Sequence, residues 1–310
     1  MRYGSGDHTF ELVDDWATLP AGDSFIDVGR ICIDGNGDVV VLNRSESPVM
    51  VFDADGTRRE TWGEGQFTDR VHGMCIDAAG DVYCTDDGNH TVKKFTPEGE
   101  LLLELGTEGE PSDTGFRNVA DLFERIASIE RGAGPFNRPT GVTVPDTGDI
   151  FVADGYGNAR VHRFDPTGDL RDSWGAPGPN PGEFRLPHSI THDDRDRLWV
   201  TDRENSRIQL FDTDGTFLAE WTDMLRPTDV AIHDGAVYVA ELCKRISVFT
   251  MDGELLTRWG NGDHPTDDPL FLAPHTLAVD SAGDLYVGEV AYTYADTDRG
   301  ARTVQKFERV

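Results

Sequence analysis

Lysine is nearly missing from this chain. Only Lys93, Lys94, Lys244 and Lys306 are lysines among 28 basic residues, and 57 acids take the formal net charge to −29. No basic patch is present to displace counterions from a phosphate backbone, which excludes nucleic acid as a partner. An acid-rich, lysine-poor surface that retains arginine suits concentrated salt, where self-repulsion is screened. The expected setting is therefore the cytoplasm of a high-salt organism. Long apolar runs are also missing, and with them any signal peptide or membrane span. Cysteine is scarce: Cys32, Cys75, Cys84 and Cys243 fall on strand-like segments with no C-x-x-C spacing. They read as reduced core residues, not as a disulfide framework or zinc knuckle.

What is present is a repeat. "CIDGNGDVVVLNRSESPVMVFDADGTRRETWG" from Cys32 aligns with "CIDAAGDVYCTDDGNHTVKKFTPEGELLLELG" from Cys75. Four further units follow from Val142, Ile190, Val230 and Leu277. Each has a short apolar run, a Gly/Asp turn and a Val/Tyr/Phe-rich run that in most units ends in an acid. A third alternating run, an Asp-Gly or Pro-x-Gly turn and a fourth run complete it. Period-two alternation between such turns is a strand and hairpin signal. Six units of four strands predict an all-β fold, a six-bladed β-propeller forming one domain over residues 1–310. The last unit ends at "VQKFERV" without a fourth strand, and "TFELVDDW" near the N-terminus has the pattern of one. The N-terminal strand is therefore expected to close the last blade and cover its edge. Residues 107–135 form an insertion in which Val119, Leu122, Phe123, Ile126 and Ile129 recur at helical spacing, predicting a short helix that could roof a pocket.

Strands one and two of a blade form an antiparallel hairpin, so the start of strand one and the end of strand two share one face. Counting back nine residues from the turn aspartate gives Gly29, His72, Thr140 and His275, and a one-residue deletion brings in His188. Thr228 takes the fifth place, so histidine stands in alternate blades. Chance placement at all three sites is on the order of a few in 10⁵ at this histidine content. Alternate blades of a six-fold ring are related by a three-fold axis, so His72, His188 and His275 can meet at one metal ion. Three imidazoles with an open fourth position suit catalytic zinc; iron or another divalent metal that favours imidazole fits too. The same face carries an acid after strand two in most blades, a residue type that caps turns. Arg44, Arg203 and Tyr156 do not recur. Two arginines beside a metal point to an anionic group on a ligand. The remaining histidines, His8, His90, His162, His192, His233 and His264, fall off this register and read as structural. Tyr292, Tyr294 and Arg299, in a late loop, are weaker candidates for ligand contact.

At these residues the chain resembles a known family. Its blade spacing is similar to that of NHL repeats. "FNRPTGV…IFVADGYGNARVHRF", "FRLPHSI…LWVTDRENSRIQLFD" and "FLAPHTLAVD…LYVGEV" resemble the peptidyl-α-hydroxyglycine α-amidating lyases over almost the whole propeller. That family cleaves a carbinolamide to an amide and glyoxylate with zinc on three histidines. The resemblance implies zinc on His72, His188 and His275, a tyrosine base at Tyr156, and functional arginines at Arg44 and Arg203. Family cysteines are replaced by Gly157 and Leu210. The family's third histidine is followed by an aspartate serving a structural calcium; Thr276 stands there, which puts Ca²⁺ in doubt. The implied partner is a small molecule or peptide bearing a carboxylate, with no nucleic acid, no membrane and a monomeric chain. Two other readings of the residues stay open. One is a metal-dependent hydrolase, lactonase or ureidoglycolate-type lyase on the same scaffold. The other is a non-catalytic NHL propeller that binds protein.

Overall fold

In the computed structural model, described for residues 1–260 and 269–310, the chain forms six sheets of antiparallel strands in a propeller arrangement. His264 lies outside the described residues. Numbered along the chain, the blades begin with the strands Val28–Ile33, Val71–Ile76, Pro139–Thr143, Pro187–His192, Pro227–His233 and Pro274–Val279. The chain divides into two compact units, residues 67–226 and residues 1–66 with 227–310, each holding three blades. Within the first unit, the opening strand of blade 3 contacts those of blades 2 and 4; within the second, that of blade 6 contacts those of blades 5 and 1. Strand one is therefore the innermost strand, as the repeat requires.

The strands follow from alternation. In the second strands, Val39–Asn43, Val82–Asp86, Ile150–Asp154, Leu198–Asp202, Ala236–Glu241 and Leu285–Glu289, every residue is buried. Such strands are covered on both faces, so they read as continuous apolar runs. The fourth strands of blades 1 and 3 are largely exposed, and that of blade 4 partly so. Apolar clusters fill the spaces between neighbouring blades. Tyr83, Val92, Leu105 and Phe136 meet Val152 and Phe164 of blade 3, and Phe151 and Val161 meet Val200 and Phe211 of blade 4. Trp174 of blade 3 packs on Phe151 and Phe211.

The N-terminal strand closes blade 6, as expected: His8–Val13 pairs with Val304–Arg309 in register Phe10↔Arg309 to Val13↔Lys306. The edge is not left there, because Arg2–Ser5 adds a fifth strand outside it. The insertion helix, α1, is shorter than its apolar stripe suggested, running from Leu122 to Ala127. Asp121 caps its start by accepting from Glu124 N. At its end the Ser128 hydroxyl donates to Arg125 O and accepts from Arg117 N, competing with further helix. Ile129 instead packs into the blade 3–4 core. All four cysteines are free, and only Cys84 is buried.

Closure by the N-terminal strand should be visible in stability. Phe10 is fully buried and stacks on Trp259 at 5.4 Å. Phe10→Ala is expected to destabilise by about 3–5 kcal/mol, whereas Phe123→Ala, at a side chain 62% exposed, should change stability by less than about 0.5 kcal/mol. Urea unfolding of both variants checks the contrast.

Candidate metal centre

The six positions found by counting share a backbone distortion. In every blade the pairing of strands one and two slips at Gly29, His72, Thr140, His188, Thr228 or His275. These residues lie inside strand one at a β-bulge, one position deeper than the segment preceding the strand. A bulge sets two residues against one and re-aims a side chain out of the normal alternation. In blades 2 and 4 the N–H that follows the histidine is taken by a strand-two hydroxyl: Gly73 N donates to Thr85 Oγ1 at 2.7 Å, and Ser189 N to Thr201 Oγ1 at 2.8 Å.

The bulge residue also bonds the next blade. His72 Nδ1 donates to Thr140 O at 2.7 Å, and His275 Nδ1 to Gly29 O at 3.0 Å. A carbonyl only accepts, so Nδ1 carries the proton and Nε2 presents its lone pair. Thr140 Oγ1 donates to Pro187 O at 2.6 Å and Thr228 Oγ1 to Pro274 O at 3.0 Å, the carbonyls just before His188 and His275. Three side chains could hold one metal ion: His72, His188 and His275 are buried, and one ring nitrogen from each lies within 4.8 Å of the others. The donor set suits a borderline ion such as zinc, because it consists of imidazole nitrogens, with carbonyls orienting the far nitrogens of two of the rings.

In the unit of residues 67–226, Tyr156 joins two of these rings. Its hydroxyl lies 3.2 Å from His72 Nε2 and 3.3 Å from His188 Nε2, and accepts from Arg203 Nη1 at 3.3 Å. Tyr156 has one proton to give, and two imidazole nitrogens converge on its oxygen, His72 Nε2 with its lone pair free of a proton. Close backbone approach explains the glycines on either side. A Cβ on Gly155 would lie 2.0 Å from Pro187 O, and one on Gly157 would lie 2.1 Å from Asn137 Oδ1. Arg203 is buried. Burial opposes its charge, but Tyr156 and Glu204 outweigh that and raise its pKa above the ordinary guanidinium value. Glu204 bonds Arg203 at 2.8 Å and Arg226 at 2.6 Å.

Two arginines escaped the sequence reading. The guanidinium carbons of Arg70 and Arg138 lie 5.9 and 5.8 Å from the Tyr156 ring centre, alongside Arg203 at 5.5 Å. Both bond the buried Asp87, Arg70 Nη2 at 2.8 Å and Arg138 Nη2 at 2.6 Å. Both occupy the same place in the repeat, two residues before the bulge positions His72 and Thr140, and Arg226 stands likewise before Thr228; that recurrence was the sequence signal that could have found them.

In the other unit, Arg44 lies buried with Nη1 3.4 Å from both Asp27 Oδ2 and Thr293 Oγ1. Behind His275, the Asp229 carboxylate pairs with Arg30 and accepts from Thr276 Oγ1 at 2.9 Å and Leu277 N at 3.0 Å. Thr276 in turn accepts from Ile31 N at 3.1 Å. The acids after strand two cap local backbone: Asp86 accepts from Thr68 N, Asp202 from Arg185 N and Leu186 N, and Glu289 from Leu272 N and Ala273 N. Arg299, expected as a ligand contact, is committed to Glu289 at 2.7 Å and to the Leu270 carbonyl. Tyr292 and Tyr294 stand about half exposed on the helix Ala291–Ala295. His162 bonds Ser173 and Asp154, and His192 bonds Thr143, so both are structural.

Comparison with known proteins agrees with the fold. Residues 136–164 and 184–211 match the NHL repeat. NHL repeat-containing protein 3 of Homo sapiens is 31% identical over 291 residues, covering 88% of this chain and 76% of that protein. Peptidyl-alpha-hydroxyglycine alpha-amidating lyase 1 of Drosophila melanogaster is 33% identical over 195 residues, 58% of this chain and 32% of that protein. A streptogramin B lyase structure superposes with a TM-score of 0.61 at 20% identity, covering 96% of this chain and 87% of that one, a likeness of fold alone.

The cluster behind His275 is testable. Arg30→Met would leave the Asp229 carboxylate buried without its guanidinium, and a loss of about 3 kcal/mol or more is expected in chemical denaturation. The matched double variant Arg30→Met with Asp229→Leu should recover part of that loss.

Proposed function

We propose that this chain, which belongs to the NHL-repeat protein family, is a metal-dependent lyase that cleaves the C–N bond of a carbinolamide. The substrate class is an N-acyl- or peptidyl-α-hydroxyglycine, and the products are the amide and glyoxylate. The observation that carries this reading is the Tyr156 hydroxyl, held between two imidazoles of a three-histidine group and touched by Arg203. The relatives named as amidating lyases support it.

His72, His188 and His275 would hold the ion, zinc being the expected choice. A divalent ion bound there supplies Lewis acidity that stabilises negative charge on the substrate hydroxyl oxygen. The chain's own groups do the rest. Arg203, with Arg44 in the same role, holds the substrate carboxylate. Tyr156 acts as the base that removes the hydroxyl proton. The carbon–oxygen double bond forms as the C–N bond breaks, the amide nitrogen takes up a proton, and glyoxylate leaves. Burial of the imidazoles keeps competing water from the group. The charge of −29 suits a protein working in a high-salt cytoplasm. No helix among the described residues is long and apolar enough to cross a membrane.

The decisive experiment measures glyoxylate release from N-acyl-α-hydroxyglycines together with bound metal. Wild type should carry about one zinc per chain, His188→Ala should lose it, and Tyr156→Phe should keep it while turnover falls by about 10² or more. Undiminished turnover in Tyr156→Phe would remove the base assignment. Zinc retention with no glyoxylate from any carbinolamide would point to a hydrolase, and absence of both metal and turnover to a protein-binding propeller.

A further inference from the structure

We propose that the cavity beside Tyr156, walled by residues 111–118 of the insertion, receives the acyl arm of the substrate and selects an arm ending in a carboxylate. This deepens the lyase reading and rests on it for the arm's identity.

The cavity lies wholly within the unit of residues 67–226. Its volume of about 870 Å³ is within the usual range for small-molecule sites. Its charge is the reverse of the chain's. Arg70, Arg125 and Arg138 line it with two aspartates, Asp87 and Asp113, and Asp113 is tied to Arg131 at 2.5 Å. In a chain carrying 57 acids, a pocket with more guanidinium than carboxylate is an anion site by composition. The bonds that Arg70 and Arg138 make to Asp87 use Nε and Nη2 of each. A guanidinium has five N–H groups, so the Nη1 amino groups remain for a ligand.

The arginines are also held in place. Arg138 lies near both the Phe116 and Tyr156 rings, its guanidinium carbon 5.9 and 5.8 Å from their centres. A planar cation held by a buried carboxylate loses little entropy on meeting an anion. Its backbone N–H donates to His90 Nδ1 at 3.1 Å. Burial and then Arg138 lower the pKa of His90, in keeping with Nδ1 acting as the acceptor in that bond. Two more polar atoms complete the lining. Ser112 Oγ and Asn137 Oδ1 are buried and have no hydrogen-bond partner within the protein. A carboxylate can accept from the serine hydroxyl, and the asparagine oxygen can accept an N–H from an amide-bearing arm. Arg70 and Arg138 line the cavity, and their guanidinium carbons also lie 5.9 and 5.8 Å from the Tyr156 ring centre, so these two side chains connect an arm in the cavity with the phenol assigned as base. The substrate is then dianionic, with one carboxylate for Arg203 and Arg44 and one for the cavity.

Matched probes separate this from the lyase reading itself. N-succinyl-α-hydroxyglycine and its terminal amide differ only in the distal carboxylate. Wild type should favour the acid by at least about tenfold in kcat/KM. That ratio should fall towards one in Arg70→Gln and in Arg125→Gln and be largely kept in Arg70→Lys, thermal unfolding confirming that all are folded. Binding is read without turnover by calorimetry of the product amides, succinamate against succinamide, where the same preference is expected. Glyoxylate from both substrates at equal kcat/KM would overturn the cavity assignment and leave the lyase standing. Preference for succinamate with no glyoxylate from either substrate would overturn the lyase and leave an acid-selective cavity. A preference unchanged in both Arg→Gln variants would arise elsewhere and would also overturn the assignment.

Discussion

The β-bulge at the start of strand one is the constraint on which the site depends. Without it, regular alternation would decide where each opening side chain points, and the ladder would consume the backbone groups beside it. With it, one residue per blade leaves the pleat, and in blades 2, 3, 5 and 6 its side chain reaches a carbonyl of the following blade. Histidine reaches that carbonyl with Nδ1 and so presents Nε2. Threonine reaches one with its hydroxyl, whose single proton also lies within reach of a carbonyl of its own blade, Ala153 O for Thr140 and Ala240 O for Thr228. A single device therefore joins blades and orients ligands, and the residue at the bulge decides which of these it does.

Buried charge reinforces that geometry. Arg30 with Asp229, Arg203 with Glu204, and Arg70 and Arg138 with Asp87 are all largely withdrawn from water. Such pairs add little net stability over apolar packing, yet losing one partner strands the other. Their effect is to fix position. Glu204 holds Arg203 against Tyr156, Asp87 holds two guanidiniums over the same ring, and Asp229 joins the opening strands of blades 1 and 6 through Arg30 and Thr276. In a chain dominated by acids, arginine is concentrated where a carboxylate must be neutralised without giving up geometry. The planar fork does this better than an ammonium, which fits the near absence of lysine.

The repeat made the blade count, the strand pattern and the closing N-terminal strand legible, because each depends on local alternation and turn chemistry. The three histidines were legible for the same reason, as a deviation at a fixed place in a periodic pattern. The bulge itself was not: a two-against-one register belongs to a strand pair, and no residue type announces it here, since Gly29, Thr140 and His72 occupy it alike. Arg70 and Arg138 were missed although they share a repeat position, two residues before the bulge, because they act through Asp87, whose recurring acid neighbour only caps a turn. The helix in the insertion was overextended because apolar spacing continues to Ile129, whereas Ser128 ends the helix with a side-chain bond to Arg125 O. The pairing of Arg299 with Glu289 was not legible either, because the two are adjacent only in space.

Stability and chemistry are separable in this architecture. Thr140 and Thr228 join neighbouring blades from the same position at which His72 and His275 do. A histidine replaced by threonine there would keep a donor in place for the neighbouring carbonyl and cost the fold little. The alternation of histidine with threonine and glycine is therefore not what the propeller needs to close. It is what the proposed three-nitrogen ligand would require of alternate blades. The fold alone, shared with a lyase at 20% identity, does not support that proposal; the occupancy of the bulges does.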